Sequence, residues 1–361
     1  MEIETHSLKL HGDFHSRWLT YSEKQEWVGF LQRFPVEMRD VYFFPDYLYL
    51  HEDEANAAAA FIYSEGEKAF LHCFLFSEIP QRKGYFDLST VYGYGGPISN
   101  SDDKEFVRRA YQKFQDEARA RNVVAELIRF HPLLNNQDLL LQASNVRLID
   151  TCPTVHVDLQ QDEENRWTNI YTHANRKNIN KARRHNITIS FGRDETLWAG
   201  YRELYVETMA ANQATGFYYF PEVYYERLKQ NMKDQYILAA AHMDGKIISV
   251  LLLLLSPVFA HCHRIGTKRE LMSLGVNNLL HHEVIQWCKE QGLAKLLIGG
   301  GRGNSEDDKL YLFKKNFSDV SGRFFIGESM LNPQLYSELC GEWQLKNPEK
   351  PLSERFLKYR F

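Results

Sequence analysis

Leu297-Ile298-Gly299-Gly300-Gly301-Arg302-Gly303, followed by Asp307-Asp308-Lys309-Leu310-Tyr311-Leu312-Phe313-Lys314-Lys315-Asn316-Phe317, is the stretch on which the fold reading turns. An apolar strand runs into three glycines and then into a helix with paired lysines beside aromatics. Glycine lacks a Cβ, so a backbone there can approach another group closely, which makes Gly299, Gly300 and Gly301 candidate substrate-binding positions.

Upstream, Phe259-Ala260-His261-Cys262-His263-Arg264 alternates as a strand, and Val276 to Gly292 carries Leu279, Leu280, Val284, Ile285 and Trp287 at helical spacing. Before these, Tyr236 to Met243 and Ile247 to Leu255 flank Asp244-Gly245, a strong signal for a tight hairpin. The order hairpin, strand, helix, strand predicts an α/β fold. The first half repeats it: Ala57 to Tyr63 and Lys68 to Phe76 bracket Glu65-Gly66, then come Tyr85 to Leu88, a glycine-rich turn, a helix from Asp103 to Arg121 and a strand from Val123 to Phe130. Helices are also expected over Trp167 to Arg184, Leu197 to Thr208 and Val223 to Leu228.

A chain of 361 residues exceeds what one core usually supports, so two domains are expected. Hydrophobic content of 44% with 25% charge describes a globular protein. Cys73, Cys152, Cys262, Cys288 and Cys340 are scattered, with no pair at redox-motif or metal-ligand spacing, which reads as reduced thiols in a cytoplasmic protein. Met1 to His6 is acidic, unlike a signal peptide. The longest apolar run, Ile247 to Leu255, is far below the ~20 residues that span a bilayer, which leaves peripheral membrane contact open.

The net charge is -4, so an anionic partner must meet a local patch. From Asn165 to Arg193 the chain carries Arg166, Arg176, Lys177, Lys181, Arg183, Arg184 and Arg193 and no acid. That run reads either as a solvated helix face or as a phosphate-binding surface, in which case Arg176 and Lys177 contact substrate. The turn Val91-Tyr92-Gly93-Tyr94-Gly95-Gly96-Pro97-Ile98 reads either as a packed connection or as a site that offers Tyr92 and Tyr94 to a substrate.

Taken in order, Tyr92 to Pro97, then Arg176 with Ile179, Lys181-Ala182 and Asn186, then Gly299-Gly300-Gly301, then Asp308-x-Leu310-x-x-Phe313-Lys314-x-x-Phe317 resemble the Fem family. These are the FemABX peptidoglycan interpeptide-bridge aminoacyltransferases of the GNAT superfamily, and the resemblance covers roughly residues 20 to 340. It implies two tandem GNAT-like domains, each a mixed β-sheet flanked by helices. Their expected ranges are 1–160 and 161–361, with the acyl-transfer site in the second and the last strand or tail able to return to the first. It further implies transfer of an amino acid from aminoacyl-tRNA to an amino group of a nucleotide-linked or lipid-linked cell-wall precursor, with no cofactor required. Where better-known members carry an arginine before the Gly-Pro and an acid soon after it, this chain has Gly95 and Asn100.

GNAT enzymes hold the coenzyme A pyrophosphate on an Arg/Gln-x-x-Gly-x-Gly/Ala turn at a helix N-terminus. The corresponding turn, Leu274-Gly275-Val276-Asn277-Asn278, keeps one glycine, so Gly275 and Asn277 are the candidate cofactor-binding residues, with Lys268 or Arg269 able to assist. Aminolysis needs a neutral amine and a stabilised oxyanion. By the resemblance Lys314 supplies the oxyanion contact and Phe313 touches substrate. Lys315, one residue on, points elsewhere. His261 and His263 share a strand face by period two, so His263 is a candidate proton relay. Two histidines without a third ligand make no metal site, and Cys262 faces the other way. No Ser-His-Asp order or cysteine nucleophile setting is visible, which favours direct transfer. Two alternatives stay open: an acyl-coenzyme A-dependent N-acyltransferase acting on an amino sugar of a surface polysaccharide, and a non-catalytic GNAT-like binding protein.

Overall fold

The computed structural model describes residues 14–141, 145–214, 216–303, 305–350 and 355–361. The chain divides into two compact units, Met1–Thr151 with Phe324–Phe361, and Cys152–Arg323. The division at 151/152 falls inside a strand rather than at 160/161, and everything from Phe324 onward folds with the first unit.

The first unit begins with β1 (Phe14–Thr20), α1 (Lys24–Leu31), α2 (Pro45–Tyr49), β2 (Asn56–Glu65), β3 (Lys68–Ile79), β4 (Arg82–Ser89), β5 (Gly96–Ser99), α3 (Lys104–Ala120) and β6 (Val123–Arg129). β7 (Val146–Asp158) leads into the second unit: α4 (Glu163–Asn165), α5 (His173–Arg184), β8 (Thr188–Gly192), α6 (Glu195–Ala211), α7 (Glu222–Asn231), β9 (Tyr236–Met243), β10 (Lys246–Leu255), β11 (Phe259–Thr267), α8 (Val276–Glu290), β12 (Lys295–Gly300) and α9 (Lys309–Lys315). β13 (Ser321–Met330) and α10 (Pro333–Lys346) return the chain to the first.

Within the first unit the strand order is β1-β2-β3-β4-β6-β13, with β5 also on β3. Neighbours are antiparallel except β4 and β6. Asp103 caps α3 by accepting from the backbone amides of Glu105 and Phe106. Phe106, Val107, Ala110, Tyr111, Phe114 and Ala118 recur at three- and four-residue spacing and bury one face of that helix on the sheet. The tail is tied down as well. The Arg360 guanidinium meets the buried Asp87 carboxylate at 2.6 Å, and the Tyr359 hydroxyl donates to the other carboxylate oxygen at 2.9 Å.

The second unit runs β7-β12-β11-β10-β9-β8, and only β11 and β12 are parallel in it among the described residues. Asp244 (φ 50°) and Gly245 (φ 74°) close the β9–β10 hairpin with both residues left-handed, as a two-residue I′ turn requires. α5, α8 and α9 share a core with alternate residues of the sheet, among them Ile237, Ala239, Leu251, Ala260 and Ile298. Hairpin, strand, helix, parallel strand thus recurs in both units, and the fold is α/β and GNAT-like. Among the described residues no helix is long and apolar enough to cross a membrane.

One expected element differs. The basic segment is not a single helix from Trp167, because a π-turn over Arg166–Ile170 ends at extended Tyr171 and a new helix starts at His173. Thr172, also extended, accepts from the Asn175 amide and caps that second helix, so the break is built into the capping residue.

Inside the first core lies a polar group that hydrophobic patterning conceals. Glu126, fully buried on β6, accepts from the His72 imidazole of β3 and, at 3.0 Å, from the Tyr111 hydroxyl of α3. Removing one partner of such a pair leaves a buried charge without compensation. His72→Ala is therefore expected to destabilise the protein by about 3–5 kcal/mol, read as a lower urea midpoint by circular dichroism.

Candidate active site

β11 and β12 run side by side only briefly. They pair at Phe259/Lys295, Ala260/Leu296 and His261/Leu297, after which β11 continues against β10 to Thr267 while β12 continues against β7 to Gly300. The two strands therefore fork. A bulge at His263, where Leu252 faces Arg264 but Leu253 faces Cys262, bends β11 at the same level. The corresponding strands of the first unit stay together: β4 and β6 pair from Phe86/Val123 to Ser89/Leu127, the Thr90 amide donates to the Leu127 carbonyl at 3.0 Å, and Gly95 bridges Phe130. Among the described residues, the second unit alone opens a fork between its parallel strands.

Each glycine of the run has its own reason. A bulge at Ile298 precedes Gly299, whose φ of 92° is a conformation residues with a Cβ avoid. A Cβ on Gly300 would lie 2.9 Å from the Pro153 carbonyl oxygen, and one on Gly301 would lie 2.5 Å from the Asp308 carboxylate. What approaches Gly300 and Gly301 is the chain itself, which corrects the expectation of a ligand against both.

α9 starts at the Asp308 cap and carries Lys314 back over the end of β12, where its ammonium donates to the Gly300 carbonyl at 2.7 Å. Burial pulls the Lys314 pKa down to about 8, against the opposing pull of Cys262, Cys152 and Asp308. Burial likewise pushes the Cys262 thiol up to about 12, so it is protonated at neutral pH and no nucleophile. The neighbouring imidazole of His281 is buried, its Nδ1 lies 2.8 Å from the Asn277 carbonyl, and burial lowers its pKa to about 4, with Lys314 acting in the same direction. Its ring stacks on Phe317 and meets Phe313 edge-on. Sequence reading singled out neither His281 nor the capping role of Asp308. The aspartate was findable from an acid placed just before a helical apolar pattern, whereas the histidine sits in a helix whose apolar spacing already explained it. Lys315 is exposed, with its ammonium 5.9 Å from the Tyr311 ring.

The other candidates divide. His263 lies in the bulge with Nε2 3.4 Å from the Tyr224 hydroxyl of α7, and the bulge breaks the period-two alternation that set it on one face with His261: His261 is buried, whereas Cys262 and His263 are both half-buried. Gly275 adopts φ 82° under α5, where a Cβ would lie 2.3 Å from the Asn178 carbonyl oxygen, so a backbone carbonyl covers the turn in which a pyrophosphate was considered. The side-chain oxygen of Asn277 accepts from Ser249 and Thr267, a structural use. Arg176 donates to the carbonyls of Trp167, Thr168 and Tyr171 and so closes the π-turn, while Lys177 is exposed. Beside α9 an open cavity of about 640 Å³ is bordered by Asn175, Asn178, Asn278, Lys309, Phe313 and Lys315.

In the first unit, Tyr92 and Tyr94 are half-buried. The Tyr47 hydroxyl donates to the Tyr92 carbonyl, and the Tyr94 ring meets Tyr42 and Phe324 edge-on. Asn100 spends its side chain on the Ala69 amide and on the carbonyls of Arg33 and Glu67. All five cysteines are free thiols.

The fork between β11 and β12 lies in a segment shared with known proteins. Residues 173–309 match the acetyltransferase (GNAT) domain family. The chain is 24% identical over 282 residues to the UDP-N-acetylmuramoylpentapeptide-lysine N(6)-alanyltransferase of Weissella viridescens, spanning 70% of this chain and 79% of that protein. The crystal structure of FemX matches with a TM-score of 0.68 at 14% identity over 87% of this chain and 98% of that one. A tandem GNAT protein from the clavulanic acid biosynthesis pathway matches at 0.51 and 10% over 88% and 98%. The chain is similar to FemABX-type proteins, carries a GNAT domain and is an acyltransferase.

Gly275→Ala tests the covered turn. The added methyl has no room against Asn178, so a loss of about 1–3 kcal/mol in stability is expected, measured by thermal and urea unfolding.

Proposed function

We propose that this enzyme transfers an aminoacyl group from aminoacyl-tRNA to an amino group on a nucleotide-linked or lipid-linked cell-wall precursor, in the cytoplasm where the charged tRNA is available. The observation that carries the reading is Lys314: an ammonium held against the Gly300 carbonyl beside the β11–β12 fork. The amine nitrogen attacks the ester carbonyl, and the charge gathering on its oxygen is met by the remaining N–H donors of Lys314. The C–O bond to the ribose then breaks, and the proton lost by nitrogen passes to the released ribose oxygen. No enzyme-bound intermediate is needed.

Two features favour a tRNA ester over an acyl-coenzyme A donor. The Asn178 carbonyl stands where a pyrophosphate would approach Gly275, and the cavity beside α9 offers the ammoniums of Lys309 and Lys315 to phosphodiesters. The named substrate of the Weissella relative supports a peptidoglycan-type acceptor. Lys314 and Phe313 are the acyl-transfer residues in this reading, with Gly299 the glycine left at the strand end for the acyl group. Of Arg176 and Lys177, Lys177 is the one left for a phosphate, and Tyr92 and Tyr94 are acceptor contacts.

The direct experiment mixes purified protein with charged tRNA pools and UDP-linked peptide precursors and weighs the products. Growth of the precursor by one aminoacyl residue is expected. Consumption of acetyl-coenzyme A instead would favour the amino-sugar acyltransferase, and binding without turnover of either donor the non-catalytic alternative.

Lys314→Met is expected to keep the fold and the donor affinity while lowering kcat by ~100-fold or more, the scale of losing one oxyanion donor. Lys315→Met should weaken the donor KM and its salt dependence and leave kcat alone. Because Lys314 acts as a cation with a pKa near 8, the kcat profile should fall as pH rises through about 8. A rate still climbing at pH 9 would exclude that role.

A further inference from the structure

The cavity beside α9 has more in its walls than charge. Its border carries amide side chains from α5, α8 and the end of α9, and most of them are spent on one another or on nearby backbone. Asn175 donates to the Asn316 carbonyl at 2.9 Å and accepts from Asn278 at 2.8 Å, while Asn316 accepts from Thr172 and donates to the Leu312 carbonyl. Asn178 differs. Its backbone carbonyl is fixed over Gly275, yet among the described residues its side-chain amide has no hydrogen-bond partner. It is half-buried at the border of the cavity, three residues beyond Asn175 on the same side of α5.

Phe313 supplies the apolar part. It is half-buried on the same border, and the two rings that touch it, His281 and Phe317, lie at 83° and 73° to it, so neither is stacked parallel on its face. Lys309 and Lys315 add two exposed ammoniums against one acid, Asp319. A ring face, an uncommitted carboxamide and paired cations together suit a single unpaired nucleotide: the base stacks on the ring, its edge is read by the amide, and its phosphates meet the ammoniums. A paired and stacked base would offer neither face nor edge. At about 640 Å³ the cavity has room for one nucleotide.

We infer that this cavity holds the terminal, unpaired nucleotide of the donor RNA, with the base on Phe313 and its edge on the Asn178 carboxamide. The inference rests on the reading of the donor as an aminoacyl-tRNA. The ester and the terminal base hang from one ribose, so the site for the base belongs within a nucleotide's reach of the group that meets the ester carbonyl, and Phe313 and Lys314 are adjacent on α9. A carboxamide sets one donor beside one acceptor, the complement of the amino group and ring nitrogen of adenine. Asn178 is thereby a specificity residue, outside the bond-making chemistry.

The test uses donors made by joining aminoacylated dinucleotides to a shortened tRNA, so that the strand ends either in adenosine or in purine riboside, which keeps the ring and lacks the amino group. Parent and Asn178→Ala are compared, with thermal unfolding as the control for folding. Alanine favours a helix interior and the carbonyl over Gly275 belongs to the backbone, so the variant should unfold within a few degrees of the parent. The parent should use the adenosine-ended donor roughly tenfold better in kcat/KM, the scale of losing one hydrogen-bonded base contact. Asn178→Ala should treat the two donors alike, through a higher KM for the adenosine-ended one, with kcat at saturating donor and the acceptor KM unchanged. A preference that survives in Asn178→Ala, or a parent indifferent to the amino group, would overturn the inference. So would a rise confined to the acceptor KM, which would make the cavity the site of the acceptor's own nucleotide. Each of these outcomes leaves the aminoacyl-tRNA reading standing. If the parent consumes neither donor, that reading itself has failed and the nucleotide site falls with it.

Discussion

The hydrogen bond from the Lys314 ammonium to the Gly300 carbonyl ties together nearly every feature of the second unit. For it to form, β12 must end with a carbonyl turned toward α9, which requires the bulge at Ile298 and the left-handed Gly299. The helix must also double back at once, which requires the Asp308 cap and a residue without Cβ at Gly301. A lysine drawn into a desolvated corner would ordinarily lose its proton more readily, and burial does bring it to about 8. A pKa near 8 still leaves it mostly a cation at neutral pH, and a cation is what a developing oxyanion needs.

Two units of the same topology have been put to different uses. The first zips its parallel strands shut from Phe86 to Ser89 and beyond, and fills its core with the His72, Glu126 and Tyr111 cluster. The second parts the equivalent strands after three pairs and brings α8 and α9 to the opening. Strand pairing is worth stability wherever it can be made, so an unpaired stretch inside a sheet is a cost that a binding function explains.

How far the chain could be read before its fold was known depended on the range of the interactions. The hairpins at Gly66 and at Asp244-Gly245, the stripes of α3 and α8, and the glycine run all declare themselves in local spacing, and each forms. The Phe313-Lys314 pair was legible as a motif. What stayed hidden was set by partners distant in sequence. Gly275 looks like the remnant of a phosphate cradle until Asn178 is seen against it, and Arg176 looks like a substrate contact until its guanidinium is found on three carbonyls. The bulge at His263 defeats any argument from alternation, because one extra residue exchanges the two faces of a strand. Thr172 could have been recognised as a cap, which would have split the basic helix correctly.

The return of residues 324–361 to the first unit bears on how the protein is made. A ribosome delivers β1 to β6 before the second unit, yet β13, which pairs with β6, and Arg360, which answers the buried Asp87, emerge only after it. The second unit is continuous in sequence and can close as soon as residue 323 clears the exit tunnel. The first unit is therefore completed after the second, its β6 edge and the Asp87 carboxylate waiting through the synthesis of an entire unit for the segment that covers them.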